Sequence, residues 1–186
     1  MGLTFLTLRY IIKKNSKGGL KMDLEFVLAY DMHDEIKKLF DAYTRMLVEN
    51  EPGFDYYLGL QNYDDEVKDL RSKYGLPGGR LYIAIFKGRV AGCIALRKFD
   101  EENCEMKRLY VKPDFRDKGI GRKLIDKLIE DGKEIGYKYM LLDTLPSLNI
   151  ALSLYESYGF KVVPPHSHSP IENSIFMRLN LDKSPI

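Results

Sequence analysis

A strand-like run that leads through a basic, glycine-spaced loop into an amphipathic helix constrains the fold of this chain more than any other feature. This stretch covers residues 104–129. Alternation predicts two faces for the strand, with one face formed by Glu105, Lys107, Leu109 and Val111 and the other by Met106, Arg108 and Tyr110. The chain turns at Pro113 and then enters the helix. A helix start of this kind presents backbone N–H groups without intrahelical partners, and the helix dipole there favours an anion.

The basic loop before the helix has the composition of a phosphate site. It reads Arg116-Asp117-Lys118-Gly119-Ile120-Gly121-Arg122. Gly119 and Gly121 have no Cβ atom, so a ligand can come close to the backbone, and glycine tolerates positive φ angles. The basic side chains of the loop add positive charge. A phosphate or pyrophosphate is therefore the expected ligand.

The sequence around the loop differs from two common phosphate-binding motifs. The pattern Gly-x-x-x-x-Gly-Lys-Ser/Thr does not occur, and the dinucleotide fingerprint requires a third glycine where this chain has Leu124. The string Val111-x-Pro113-x-x-Arg116-x-x-Gly119-x-Gly121, placed between a strand and a helix, resembles the acetyl-coenzyme A signature of the GNAT family of N-acetyltransferases. The resemblance extends over roughly residues 22–182, because the later segments also fit in order.

Hydrophobic periodicity along the rest of the chain predicts strands and helices in an order that agrees with this resemblance. Strands are expected over residues 24–29, 81–86, 90–96, 137–143 and 174–181, and helices over residues 31–48 and 64–74, after Gly119 and after Pro146. The fold class predicted is α/β (α+β), a GNAT-like mixed, mostly antiparallel sheet. Helices should cover both faces, and the resemblance implies a splayed pair of parallel strands.

The resemblance also implies how acetyl-CoA would be held. The pantetheine arm would enter the gap between the splayed strands and bond the backbone of Leu109 and Val111, as an added strand would. The backbone N–H of Leu109 would polarise the thioester carbonyl. The residues assigned to the coenzyme are Leu109, Tyr110, Val111, Arg116, Asp117, Lys118, Gly119, Ile120, Gly121, Arg122 and Asn149.

Acyl transfer to an amine needs one proton acceptor and one proton donor. An alkyl amine with a pKa near ~10.4 is almost fully protonated at pH 7, and the leaving thiolate needs a proton in return. In the histone-modifying branch of the family a catalytic glutamate precedes the position of Val111 by six residues, which assigns proton acceptance to Glu105. The alternative for Glu105 is an exposed strand residue paired with Lys107 or a neighbouring segment.

Tyr155 is the predicted proton donor. The segment Asn149-Ile-Ala-Leu-Ser-Leu-Tyr155-Glu-Ser-Tyr-Gly-Phe160 matches a family pattern in which the tyrosine hydroxyl faces the sulfur and the asparagine contacts the pantetheine arm. The alternative is an aromatic core residue on an amphipathic helix. Tyr158 lacks the motif position and is interpreted as a packing residue.

Composition limits the partners. The chain has 29 basic and 27 acidic residues, for a net charge of +2. This overall charge gives no reason to expect a nucleic acid as a partner. Cys93 and Cys104 are interpreted as thiols in a reducing compartment. His166 and His168 lie on a proline-flanked loop that more simply forms a solvated loop or the rim of an acceptor site than a metal site. No metal is expected.

The first 21 residues require a separate interpretation. Their apolar run is too short to span a bilayer, and most of its basic residues follow rather than precede it, so the protein is expected in the cytoplasm without membrane contact. Lys17-Gly18-Gly19 before Met22 can be encoded by a purine-rich ribosome-binding sequence, so residues 1–21 are either a translated leader or an ordered extension that adds an edge strand. Residues 22–186 form the predicted N-acetyltransferase domain.

The sequence therefore predicts an acetyl-CoA-dependent N-acetyltransferase that acts on a primary amine by direct attack in a ternary complex. Two alternatives stay open: a non-catalytic acyl-CoA-binding sensor with the same fold, and an acyltransferase that uses another acyl-CoA. The partners expected are acetyl-CoA and an amine acceptor that the sequence does not identify, and a homodimer is left open.

Overall fold

The computed structural model describes residues 9–11, 23–50, 63–167 and 173–183. The strands are β1 (Arg9–Ile11), β2 (Leu24–Leu28), β3 (Arg80–Phe86), β4 (Arg89–Lys98), β5 (Asn103–Val111), β6 (Tyr139–Thr144), β7 (Lys161–Val162) and β8 (Ile175–Asn180). The helices are α1 (His33–Asn50), α2 (Tyr63–Lys68), α3 (Leu70–Tyr74), α4 (Ile120–Ile135) and α5 (Asn149–Ser157), with 3-10 turns at Pro113–Phe115 and Leu181–Lys183.

The strands form one eight-stranded sheet in the order β1-β2-β3-β4-β5-β6-β8-β7. Every neighbouring pair is antiparallel except β5 and β6, which are parallel because α4 connects them. One buried cluster packs α4 and α5 against one face, and a second packs α1 and α3 against the other. The predicted fold class is confirmed.

The parallel strands pair over a short distance and then separate. Pairing joins Asn103–Glu105 of β5 to Tyr139–Leu141 of β6, although β5 continues to Val111 and β6 to Thr144. Beyond Glu105, no described residue of β6 pairs with β5. The gap between them is the predicted splay.

A β-bulge in β5 makes the predicted alternation of that strand wrong from Arg108 onward, since the Arg108 guanidinium lies over Phe40 in the cluster opposite that of Met106. Lys107 lies opposite Ala95 and Tyr110 lies opposite Cys93, so two residues of β5 face a single residue of β4. Arg108, the first of the two, has a φ of 58°. The extra residue reverses the faces of the rest of the strand. Leu109 and Val111 consequently pack with Met106 in the cluster under α4, rather than on the side of Glu105 and Lys107.

Two predicted helix features differ in the structure. The helix predicted from residue 31 begins at His33, and the Asp31 carboxylate binds the Arg71 guanidinium at 2.7 and 2.8 Å. The helix predicted over residues 64–74 is two helices interrupted at Asp69, whose side chain accepts a hydrogen bond from the Ser72 N–H at 2.9 Å and so starts α3. A short polar side chain that bonds the nearby backbone favours a cap over a helix interior.

The buried face of α4 agrees with its sequence pattern. Ile120, Leu124, Ile125, Leu128 and Ile129 are all at most 2% exposed. Lys127 and Asp131 are also buried on this helix and bind each other at 2.8 Å. Periodicity alone did not predict that pair, because a charged residue is buried only where a partner is present.

The N-terminal segment contributes one described strand. β1 pairs antiparallel with β2, with Arg9 opposite Val27 and Ile11 opposite Glu25. The remaining residues up to Met22 lie outside the described part of the chain, as does His168. The division of the chain at Met22 stays a prediction. Among the described helices, none combines the length and the apolar character that crossing a membrane would need.

Candidate active site

The loop between β5 and α4 is shaped by left-handed backbone. Asp117 has a φ of 60° and Gly119 a φ of 70°, and Gly119 precedes the first residue of α4 without any side-chain cap. A Cβ atom on Gly119 would meet nothing within 4 Å, and one on Gly121 would meet only Val111 Cγ2, at 3.8 Å. Packing within the chain therefore does not require glycine at residue 121. The N–H groups of the first helical turn have no intrahelical partners, and the open space beside the Gly119 Cα would admit an anion near them.

The basic side chains of this loop bond neutral oxygens. Arg116 Nε donates to the Val111 carbonyl at 3.3 Å, Lys118 Nζ to the Asp114 carbonyl at 2.8 Å, and Arg122 Nη1 to Ser157 Oγ at 3.3 Å. Within the described part of the chain, no carboxylate lies within ion-pair distance of these three groups. Their positive charge adds to that of the helix start, which is the charge distribution a pyrophosphate needs.

The bulge orients the peptide group between Arg108 and Leu109. The Arg108 carbonyl accepts a hydrogen bond from Cys93 Sγ on β4, at 3.3 Å. Because the carbonyl and the N–H of a trans peptide point in opposite directions, the Leu109 N–H is directed away from the Cys93 side chain. Tyr110 packs on the opposite face, with its ring 6.3 Å from that of Tyr43.

Tyr155 lies inside this region on α5. Its side chain is buried, with its ring 5.8 Å from that of Phe160, and no described residue hydrogen-bonds its hydroxyl. Burial, with smaller effects from Tyr43 and Asp143, raises the pKa of Tyr155 well above its usual value. The hydroxyl therefore keeps its proton at neutral pH. Asn149, at the start of the same helix, is exposed.

Tyr158 is held differently. Its single hydroxyl proton is shared by two acceptors of α4, Asp126 Oδ1 at 2.6 Å and the Arg122 carbonyl oxygen at 2.9 Å, so it tethers the end of α5 to α4. This agrees with its interpretation as a packing residue.

Glu105 lies at the vertex of the separating strands, where the last parallel pair joins it to Leu141. Its side chain is 1% exposed and forms an ion pair with Arg97 on β4. Lys107 Nζ lies 3.6 Å and His166 Nε2 lies 3.8 Å from Glu105 Oε1. The alternative from the sequence, that Glu105 is an exposed strand residue, is therefore wrong about its exposure. The role of Glu105 as proton acceptor stays a prediction.

An ion pair that the sequence analysis missed bridges the gap between the strands. Lys107 Nζ on β5 lies 2.7 Å from Asp143 Oδ1 on β6. Burial disfavours the charged form of both side chains, but the attraction between the two opposite charges is stronger. The pKa of Asp143 is therefore lowered and that of Lys107 is raised. A sequence signal existed, because Asp143 is a charged residue near the end of a buried parallel strand. It could not identify Lys107 as the partner.

His166 closes the site from the loop before β8. Its ring lies between Phe99 and Phe176, with centroids 5.5 and 4.9 Å away. Neither ring nitrogen has a hydrogen-bond partner among the described residues, and burial lowers the pKa of His166. The ring borders a cleft of about 350 Å³. The cleft is lined by Phe99, Asp100, Asn103, Leu141, Val163, Pro164, His166 and Arg178.

A buried salt bridge connects the helix α2 to the bulge. Arg108 Nε and Nη2 donate to the two carboxylate oxygens of Glu66 at 2.8 and 2.9 Å, and the guanidinium stacks 5.0 Å from the Phe40 ring centroid. Tyr74 also donates to Glu66, at 2.7 Å. Burial opposes the charge on Glu66, but Arg108 and Lys73 outweigh it and lower the pKa of Glu66 to about 2.

No group of three histidine, cysteine, aspartate or glutamate side chains in the described part of the chain is arranged to hold a metal ion. Cys93 and Cys104 are both buried and not joined in a disulfide.

Comparison with known proteins identifies the same region. Residues 36–160 match the model of the Acetyltransferase (GNAT) family. Over 152 residues the chain is 40% identical to a protein of Schizosaccharomyces pombe named as an uncharacterized N-acetyltransferase, covering 81% of this chain and 89% of that one.

Solved structures agree in fold. An acetyltransferase from Streptococcus agalactiae superposes with a TM-score of 0.70 at 18% identity, covering 85% of this chain and 98% of its own. An acetyltransferase from Salmonella typhimurium, solved with its cofactor acetyl-CoA, superposes with a TM-score of 0.57 at 22% identity, covering 87% and 95%.

Proposed function

The chain belongs to the GNAT family of acetyltransferases, and from that premise we propose that it is an acetyl-CoA-dependent N-acetyltransferase that acetylates a primary amine by direct attack in a ternary complex. One observation carries the proposal. The loop after β5, the strand that borders the gap, leads to the start of α4, where no described carboxylate neutralises the positive charge. A pyrophosphate at this helix start would leave the pantetheine arm beside Leu109 and Val111.

The residues of the site fit the two proton transfers of the reaction. The Leu109 N–H would donate a hydrogen bond to the thioester oxygen as the amine nitrogen forms its bond to the carbonyl carbon. Glu105 would accept the proton that the amine loses, directly or through water. Tyr155 would give its proton to the sulfur as the carbon–sulfur bond breaks. Exchange with solvent then restores both groups.

The binding step and the chemical step can be measured separately. Isothermal titration with acetyl-CoA tests the coenzyme site, and release of the CoA thiol across a panel of amines tests transfer. Binding without release by any amine would favour the acyl-CoA sensor. Stronger thermal stabilisation by succinyl- or longer acyl-CoA than by acetyl-CoA would favour another acyl donor. The cytoplasmic location and the homodimer stay predictions.

Arg116→Glu is expected to weaken acetyl-CoA binding about tenfold or more, since a charge-assisted hydrogen bond to phosphate is worth ~1.5–3 kcal/mol. The dissociation constant from isothermal titration checks this. Lys138→Glu is the matched control, because it also replaces a positive charge by a negative one. Lys138 directly precedes β6, at the end of the parallel strand pair that is farther from the basic loop. An unchanged dissociation constant for Arg116→Glu, or an equal loss in both variants, would contradict the pyrophosphate assignment.

Glu105→Gln is expected to lower kcat about tenfold, with the dissociation constant of acetyl-CoA unchanged. The glutamine keeps a hydrogen bond to Arg97 but does not take a proton. The loss should be smaller than the ~10²–10⁴-fold that proton transfer often contributes, because His166 lies 3.8 Å away and offers a second acceptor. Steady-state kinetics at saturating amine measure it. A kcat equal to that of the wild type would remove Glu105 from proton transfer.

A further inference from the structure

The cleft beside Glu105 continues across the sheet in one row of residues. Glu105 on β5 pairs with Leu141 on β6, and Leu141 pairs with Arg178 on β8. Residues directly opposite each other on neighbouring strands extend from the same face of the sheet. Two strand spacings separate the ends of the row, which places the Cα atoms of Glu105 and Arg178 about 10 Å apart. One small molecule can reach both ends.

The Arg178 end of the cleft carries a positive charge that the described part of the chain does not neutralise. No carboxylate of a described residue lies within ion-pair distance of Arg178, whose guanidinium stacks on the Tyr139 ring with 4.6 Å between the guanidinium carbon and the centroid. Stacking fixes the plane of the guanidinium and leaves its N–H edge for a ligand.

Asp100, the acidic residue in the lining of the cleft, does not balance this charge. Its carboxylate accepts hydrogen bonds from the Asn103 side-chain amide at 2.8 Å and from the backbone N–H groups of Glu102 and Asn103 at 2.9 and 2.8 Å. These bonds hold the carboxylate in the turn between β4 and β5. Most of the remaining lining is apolar, from Phe99, Leu141, Val163 and Pro164.

The other end of the cleft is bordered by His166, whose Nε2 lies 3.8 Å from Glu105 Oε1. The Glu105 carboxylate lies beneath the lining, 1% exposed, with Arg97 and Lys107 as its ion-pair partners, and the imidazole of His166 above it has no described hydrogen-bond partner. Because burial lowers the pKa of His166, the ring is neutral at pH 7 and is able to accept a proton. An amine is suited to this end and an anion to the other.

We propose that this cleft is the acceptor site and that it takes an amine that also carries a carboxylate, such as a free amino acid. Arg178 binds the carboxylate, and the amine lies at the end bordered by His166, above Glu105. A planar carboxylate and a guanidinium form two parallel hydrogen bonds, which fixes the orientation of the acceptor as well as its affinity. The assignment rests on the acetyltransferase function proposed above.

The test uses matched acceptors and matched variants. Each amino acid is compared with the amine that lacks only its carboxylate, for instance phenylalanine with phenethylamine and alanine with ethylamine. The variants are Arg178→Gln and, as control, Lys161→Gln, which removes a positive charge directly opposite Arg178 on β7 but outside the lining of the cleft. We expect the wild type to favour the amino acids in kcat/KM. Arg178→Gln should lose about tenfold or more on the amino acids alone, and Lys161→Gln should lose little.

Equal losses of Arg178→Gln on both members of each pair, or a wild-type preference for the amines without a carboxylate, would overturn the assignment. Titration of the amino acids into the CoA-saturated protein gives a reading that does not depend on turnover. Binding that Arg178→Gln weakens supports the assignment, and the lack of any binding overturns it. A protein that does not bind acetyl-CoA would instead refute the proposed function, and the same titration without CoA would then decide the acceptor site by itself.

Discussion

Tyr155→Phe is expected to lower kcat about 10²-fold or more while leaving the dissociation constant of acetyl-CoA unchanged. The substitution removes one hydroxyl and keeps the ring that packs on Phe160. The leaving thiolate then has no positioned proton donor, and loss of a general acid costs a factor of this order. CoA release at saturating acetyl-CoA and amine gives kcat, and isothermal titration gives the dissociation constant.

Tyr158→Phe is the matched control, one residue past the end of the same helix. It also removes a single tyrosine hydroxyl, but that hydroxyl bonds Asp126 and the Arg122 carbonyl. We expect a small loss of stability and a kcat close to that of the wild type. If both variants had the same kcat, the hydroxyl of Tyr155 would have no special role.

Because burial raises the pKa of Tyr155, its ionisation should not limit wild-type activity below pH 10.

The features that were predictable from the sequence are local ones. The basic loop, the amphipathic helix α4 and the order of the strands depend on spacing along the chain, and a short segment carries each signal. The left-handed backbone at Gly119 was expected for the same reason, because glycine has no steric penalty there.

The features that were missed depend on contacts between distant segments. The bulge at Arg108 requires the register of β4, and a residue other than glycine with a φ of 58° is not expected from spacing alone. Glu105 meets Arg97 and His166, which approach from β4 and from the loop before β8. Periodicity places each residue on a face but does not identify its neighbour across strands. The cleft between His166 and Arg178 was therefore the part of the structure that the sequence did not predict.

The bulge connects the stability of the protein to its chemistry. Arg108 lies at the bulge, its carbonyl orients the Leu109 N–H, and its guanidinium is anchored by Glu66 on α2. Both side chains of this salt bridge are at most 7% exposed. A buried charge whose partner is removed is not neutralised by water, so it destabilises the folded state. The anchor is thus the place where one substitution should disturb the fold most.

Glu66→Gln is expected to lower the free energy of unfolding by about 3 kcal/mol at pH 7. The carboxylate has a pKa near 2 in place of the usual 4.5, and each tenfold change in acid dissociation is worth about 1.4 kcal/mol. The result falls at the lower end of the ~3–5 kcal/mol typical for breaking a buried pair. Urea unfolding of both proteins measures the difference. Asp31→Asn is the control, because Asp31 binds Arg71 with similar geometry at the exposed surface, where a pair contributes about 0–1 kcal/mol.

The pH dependence of this difference has a defined sign. A carboxyl group with a lowered pKa in the folded state stabilises the protein above its unfolded pKa and loses that contribution as the pH falls through its folded pKa. The difference between wild type and Glu66→Gln should therefore be largest above about pH 4.5 and should shrink toward pH 2. A difference that stays constant over this range would mean that the loss comes from packing rather than from the charge on Glu66. The Arg108 guanidinium would then not need that charge to hold the bulge in place.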